Sequence, residues 1–191
     1  TGELDWDRTE GTAIANTIKY QTPTIGGFWA GAMYGFGNVA GSVGAGNSSS
    51  FGMNYQYGPA LIGAAYTNVK YIQTVGPQVS VRNWGAGGTY QFTDLTLRAL
   101  VTTVHNSLNG AAVAEGSVSA RWLFHQAWQL SGEYMYLKGN QVVDNNHANQ
   151  LGVTLAYLFS KRTTVYASAV YQKANSGASA EISGITDPNP G

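Results

Sequence analysis

The chain has 191 residues and a formal net charge of zero, so its overall charge draws it neither to nucleic acid nor to acidic partners. Only 10% of its residues are charged while glycine fills 25 positions, too little charge to clothe the surface of an ordinary soluble domain. The absence of cysteine excludes a disulfide framework and a thiolate metal site, and no stretch approaches the run of about 18 apolar residues that a spanning helix needs.

Residues 1 to 13, "TGELDWDRTEGTA", hold Glu3, Asp5, Asp7, Arg8 and Glu10, the densest charge in the chain. With no signal peptide, lipidation signal or initiator methionine, the opening reads as that of a mature protein or an excised piece. From residue 14 onward the dominant signal is alternation, because a strand sends successive side chains to opposite faces. In "IANTIKYQ" one face carries Ile14, Ile18 and Tyr20, the other Ala15, Thr17, Lys19 and Gln21. Phe28, Ala30, Ala32, Tyr34 and Phe36 share a face, then Phe51, Met53, Tyr55 and Tyr57, then Ile62, Ala64 and Tyr66. Trp84, Ala86, Gly88, Tyr90 and Phe92 follow, and their opposite faces are mostly Gly, Asn, Gln and Thr.

Downstream, Leu95, Leu97, Ala99 and Val101 oppose Thr96, Arg98 and Thr102, and Val118, Ala120, Trp122 and Phe124 oppose Ser119 and Arg121. Trp128, Leu130, Tyr134 and Tyr136 oppose Gln129, Ser131 and Glu133. Two last strands present Leu151, Val153, Leu155 and Tyr157, then Val165, Ala167, Ala169 and Tyr171. The pattern predicts an all-β chain of about ten antiparallel strands. Short connections ("QTPTIGG", "YGPA", "YQFTD", "FHQAW", "LFSKRT") alternate with long ones rich in Gly, Asn, Ser and Ala, and the short ones recur at intervals of roughly 34 residues. Helical repeats share that period, but the apolar spacing of two and the internal glycines make the unit a hairpin.

A soluble sandwich or small barrel and an outer-membrane barrel both fit hairpins with short turns on one side and long loops on the other. Strand ends separate them. A lipid-facing barrel seats amphipathic rings at the membrane interfaces, and Tyr20, Phe28, Tyr55, Tyr57, Tyr90, Phe92, Phe124, Trp128, Tyr157 and Phe159 all flank the short turns. Tyr34, Phe36, Tyr66, Trp84 and Tyr136 are candidates for the opposite girdle. The membrane barrel is therefore the expectation, with a soluble or surface β-sheet binding module as the alternative.

The segment "NTIKYQTPTIGGF" is similar to the N-S/T-I-K-Y-x-S-P-x-F-x-G-F segment of the general porins of beta-proteobacteria. "YGFGNVAGS", "YGPALIGAAY" and "AYLFSKRTTVYASAVYQ" resemble later segments of the same family. The resemblance implies a sixteen-stranded transmembrane barrel in the Gram-negative outer membrane, a homotrimer when full length and a passive channel for small ions and hydrophilic solutes. Membrane lipid and lipopolysaccharide are the implied partners, with no nucleic acid and no cofactor. It makes residues 1–13 the end of an inward-folded constriction loop, 14–173 about ten strands of one barrel, and 174–191 a truncated extracellular loop. The family's first strand and its closing strand are missing, which makes the chain part of a barrel. A sheet with two unpaired edges in hydrocarbon costs several kcal/mol per exposed backbone group, so this polypeptide alone is expected to form no conducting pore.

In a channel the functional site is a lining. Strand parity puts Lys19, Arg98, Arg121 and Glu133 on the lumen face, and a mid-membrane Arg or Lys on the lipid face would cost about 2–4 kcal/mol. Arg121 and Glu133 fall on a diagonal across one hairpin, as a wall-stiffening ion pair or as part of a transverse field. By resemblance Asp7, Arg8 and Glu10 line the constriction; as bare sequence they also suit a solvated charged tail. Relatives often carry an arginine three residues before the Asn-Ser/Thr pair, where this chain has Ala13. "GFGNVAG" at 35 to 41 mimics a dinucleotide fingerprint but leads into a loop rather than a helix. His105, His125 and His147 are too far apart in sequence to suggest a metal site. No catalytic grouping shares a lumen face within one hairpin, so enzyme activity is not expected.

Overall fold

The structure is a computed structural model that describes residues 14–72, 76–125, 127–175 and 178. Ten strands form one sheet: β1 (Thr17–Gln21), β2 (Phe28–Gly35), β3 (Ser48–Tyr57), β4 (Ala60–Tyr71), β5 (Val79–Gln91), β6 (Leu95–Asn106), β7 (Ala112–Phe124), β8 (Trp128–Gly139), β9 (His147–Ser160) and β10 (Thr163–Ala174). Each pairs antiparallel with its sequence neighbours, in the order β1 through β10. Among the described residues the only helical element is a 3₁₀ turn at Gln141–Val143, and no helix is long and apolar enough to cross a membrane.

Alternation holds along the registers. On β8, Tyr134 and Tyr136 are 45% and 39% exposed while Met135 and Leu137 are 6% and 7%. Curvature explains the asymmetry, since side chains on the inside of a bent sheet converge and cover one another. Apolar rings therefore stay open on the convex face, and among the described residues no side chain is fully buried. That distribution is the inverse of a soluble sandwich, whose rings meet in a shared interior.

On the convex face the rings at the short-turn end form a nearly continuous chain. Trp122 and Phe124 lie 5.0 Å apart, Phe124 and Trp128 6.5 Å, Trp128 and Tyr157 4.8 Å, and Tyr157 and Phe159 5.0 Å between ring centroids. Tyr90 and Phe92 add a 4.7 Å pair. At the other end Tyr34 packs edge-on to Phe36 at 5.1 Å, and Tyr66 faces Trp84 across β4 and β5. All five short connections join neighbouring strands as predicted. The two-residue connection between β3 and β4 places Gly58 at a φ of 53°, a left-handed conformation that glycine supplies without steric cost.

Two expectations need correcting. Ile14 does not share a face with Ile18 and Tyr20: its Cγ2 fills the space above Gly35 beside Thr17, on the concave side, and Asn16 at a φ of 52° is the residue that breaks the alternation. Strand β1 accordingly begins at Thr17. The sequence "HNSLNGAAVAEG" at 105 to 116, one of the long connections rich in Gly, Asn, Ser and Ala expected between strands, is also mostly strand, since β6 continues to Asn106 and β7 starts at Ala112. Small polar residues pair as well as any others when the backbone supplies the bonds.

Candidate pore-lining face

The concave face is built from one parity of every strand. Thr17, Lys19 and Gln21 of β1 sit opposite Gly35, Met33 and Gly31 of β2. On β6 the concave residues include Thr96, Arg98, Leu100 and Thr102, and on β7 Glu115, Ser117, Ser119 and Arg121. Ser131 and Glu133 of β8 follow, then Gly152 and Thr154 of β9. Hydroxyls bridge strands on this face: Ser50 and Thr67 are 3.1 Å apart, and Thr154 and Ser168 2.9 Å.

Three of the predicted residues come together. Arg98 faces Ser119, which faces Glu133, so the two charges stand two strand spacings apart, about 10 Å. Arg121 faces Thr96 on one side and Ser131 on the other, which sets it diagonal to both Arg98 and Glu133, about 7–8 Å away between backbones. Its Nη2 donates to Thr96 Oγ1 at 3.4 Å, turning the guanidinium toward β6 and away from Glu133. Arg98 and Arg121 are exposed and Glu133 is half-buried. Lys19, also exposed, lies five strands from Arg98 along the sheet, about 24 Å away. Asp7, Arg8 and Glu10 fall outside the described residues.

Sequence reasoning passed over two members of this face. Glu115, half-buried on β7, shares parity with Ser119 and Arg121, and extending that parity four residues upstream would have found it. Leu100 shares the face of Arg98 although its neighbours there are polar or small. Between β3 and β6 the face dips into an open depression of about 440 Å³. Gly52, Gly63, Gly85 and Gly87 form its floor, with Arg98 and Leu100 on one side. The glycines permit that floor: a Cβ at Gly87 would lie 2.8 Å from the Ala99 carbonyl oxygen, and one at Gly85 3.0 Å from Thr102 Cγ2. Asn83, 6% exposed, also lines the depression, and its Oδ1 has no hydrogen-bond partner among the described residues.

An apolar exterior, a hydroxyl- and charge-bearing concave wall and an open trough suit contact with water on the inside and hydrocarbon on the outside. The comparisons point the same way. The chain superposes on the anion-selective porin of Comamonas acidovorans with a TM-score of 0.78 at 19% identity, covering 88% of this chain and 52% of that one. The outer membrane channel DcaP of Acinetobacter baumannii gives a TM-score of 0.68 at 11% identity, over 83% of this chain and 56% of that one. OmpF of Salmonella typhi, solved with daunomycin, gives 0.62 at 18% identity, over 82% of this chain and 54% of that one. The chain thus spans about half the length of these structures. No curated protein sequence matches it closely enough to count as a relative. The family model of Gram-negative porins matches residues 2–177, nearly the whole chain, and with the barrel-wall architecture this makes the protein a member of the Gram-negative porin family, whose place is the outer membrane.

Proposed function

We propose that this chain forms ten strands of the wall of a trimeric, passive channel for small hydrophilic solutes and ions. The observation that carries the reading is the division of the sheet: Lys19, Arg98, Glu115, Arg121 and Glu133 all lie on the concave parity, and the middle of the convex face has no charge. A wall of this kind does no bond chemistry and selects by width and by field.

In this reading Asp7, Arg8 and Glu10 belong to the close of an inward-folded loop opposite the Arg98–Arg121 wall, and solute crosses a transverse field between them. Ile14 supports the entry direction, because its side chain sits over Gly35 on the concave side. Arg121 contributes to that field as an exposed charge rather than as half of a tight ion pair, its guanidinium being turned to Thr96.

The test is a planar-bilayer measurement on the complete porin under a salt gradient. Replacing Arg8 and Arg121 together by Ala should move the reversal potential toward cation preference with conductance steps retained. An unmoved reversal potential removes both residues from the selectivity argument. A protein that stays monomeric and soluble without detergent would sink the channel reading itself.

A further inference from the structure

The glycine-floored depression on the concave face has the dimensions of a single flat ring. Gly52, Ala65 and Gly85 form one row across β3, β4 and β5, and Gly63 and Gly87 form the next row on β4 and β5. With strands about 4.8 Å apart and rows about 7 Å apart, the patch measures about 10 Å by 7 Å, and it bears nothing larger than the methyl group of Ala65. Its sides are side chains. The Asn54 carboxamide leans over Gly63, and Leu100 Cδ1 lies 3.1 Å from where a Gly87 Cβ would stand.

Polar groups stand at both ends. Arg98 faces Thr89 on β5, two residues beyond Gly87, and is exposed; among the described residues it has no ion-pair partner. Asn83 stands at the other end, two residues before Gly85, buried and with its Oδ1 unpartnered among the described residues. A buried acceptor without a donor is costly, and a donor on a bound molecule would supply the missing bond. The Arg98 and Asn83 backbones are about 20 Å apart, a gap that the two side chains reduce to the length of one ring with a polar group at each end.

Bare backbone lets a flat molecule lie directly on a sheet, and a guanidinium beside it suits a carboxylate. Given the channel reading above, on which this rests, we infer that the recess is a binding site for a planar aromatic carboxylate. The ring lies on the glycine floor against Leu100, with the carboxylate on Arg98 and a donor at the far end toward Asn83. A sugar suits the recess less well, because its hydroxyls would rest on backbone groups whose hydrogen bonds the sheet has already taken. A small inorganic anion would leave the floor uncovered.

Binding to the complete porin in deuterated detergent is read by saturation-transfer NMR on the probe's own protons, which requires no conduction, so that failure of the site and failure of the channel reading are separate results. The probes are 4-hydroxybenzoate, the uncharged 4-hydroxybenzamide, and cyclohexanecarboxylate, which keeps the charge without the flat ring. The unmodified porin should bind 4-hydroxybenzoate about tenfold more tightly than either of the others. R98Q should bind 4-hydroxybenzoate about tenfold more weakly and 4-hydroxybenzamide as the unmodified porin does, which shows the recess intact. Gly52→Val, whose Cβ would meet the Ala64 carbonyl oxygen and Ala65 Cβ at an ordinary 3.7 Å, should fill the recess and weaken both aromatic probes. K161Q/R162Q, at the short turn between β9 and β10, should behave as the unmodified protein. The proposal is overturned if R98Q binds 4-hydroxybenzoate normally, if K161Q/R162Q weakens it equally, if Gly52→Val leaves it unchanged, or if cyclohexanecarboxylate binds as tightly.

Discussion

Val153 and Thr154 are neighbours near the middle of β9, and the sheet turns one outward and the other inward. Val153 lies between Gly132 and Ala169 on the convex face and is 43% exposed. Thr154 lies between Ser131 and Ser168 on the concave face and shares a 2.9 Å hydroxyl contact with Ser168. Val153→Lys puts an ammonium into hydrocarbon near mid-membrane, at a cost of about 2–4 kcal/mol. Thr154→Lys loses one hydrogen bond, about 0.5–1.5 kcal/mol, while its ammonium meets water and lies diagonal to Glu133. The convex variant should therefore be the less stable by about 2 kcal/mol. Equilibrium unfolding in urea of the complete porin in vesicles, followed by tryptophan fluorescence, measures the difference. If Thr154→Lys is as damaging as Val153→Lys, or more so, the inside and outside have been exchanged and the lining argument fails.

Tryptophans give an independent reading of the same division: in single-tryptophan variants Trp84, Trp122 and Trp128 should be quenched strongly by brominated lipid, and Trp29, opposite Asn54 on the concave face, should not. Gly87→Ala should destabilise the barrel by about 1–3 kcal/mol, since its Cβ would press on the Ala99 carbonyl oxygen; Gly152→Ala, with nothing within 4 Å, should stay within about 0.5 kcal/mol of the parent on urea unfolding. Glu133→Gln should move the reversal potential toward anions, and by more at low salt than at high salt, because exposed charges are screened beyond about 10 Å at 0.1 M; a shift that ignores ionic strength would argue against a field effect.

Most of the wall could be read from the chain because the two sides of each strand meet different media. Where that contrast is sharp, as in Leu151, Val153 and Leu155 against Gln150, Gly152 and Thr154, the period of two fixes register and facing together. It fails where the contrast fades. Asn106 and Ala112 are small and polar or neutral, and the backbone pairing that extends β6 and β7 through them leaves no mark in hydropathy. Ile14 was misplaced for a different reason: a single left-handed residue, Asn16, resets the parity, and asparagine in a sequence does not announce that conformation. The spacing of Arg121 and Glu133 was legible from the hairpin, whereas the turn of the guanidinium toward Thr96 depends on a neighbour brought in from β6.

Among the described residues every strand in this sheet bonds only to the strands that flank it in the chain. A hairpin can therefore be gained or lost at the level of the gene without rethreading any other segment. With strands about 4.8 Å apart and tilted near 40°, each such event changes a closed barrel's diameter by about 4 Å. In closed barrels built this way the aperture therefore changes in discrete increments, with finer adjustment left to the residues that project into the opening.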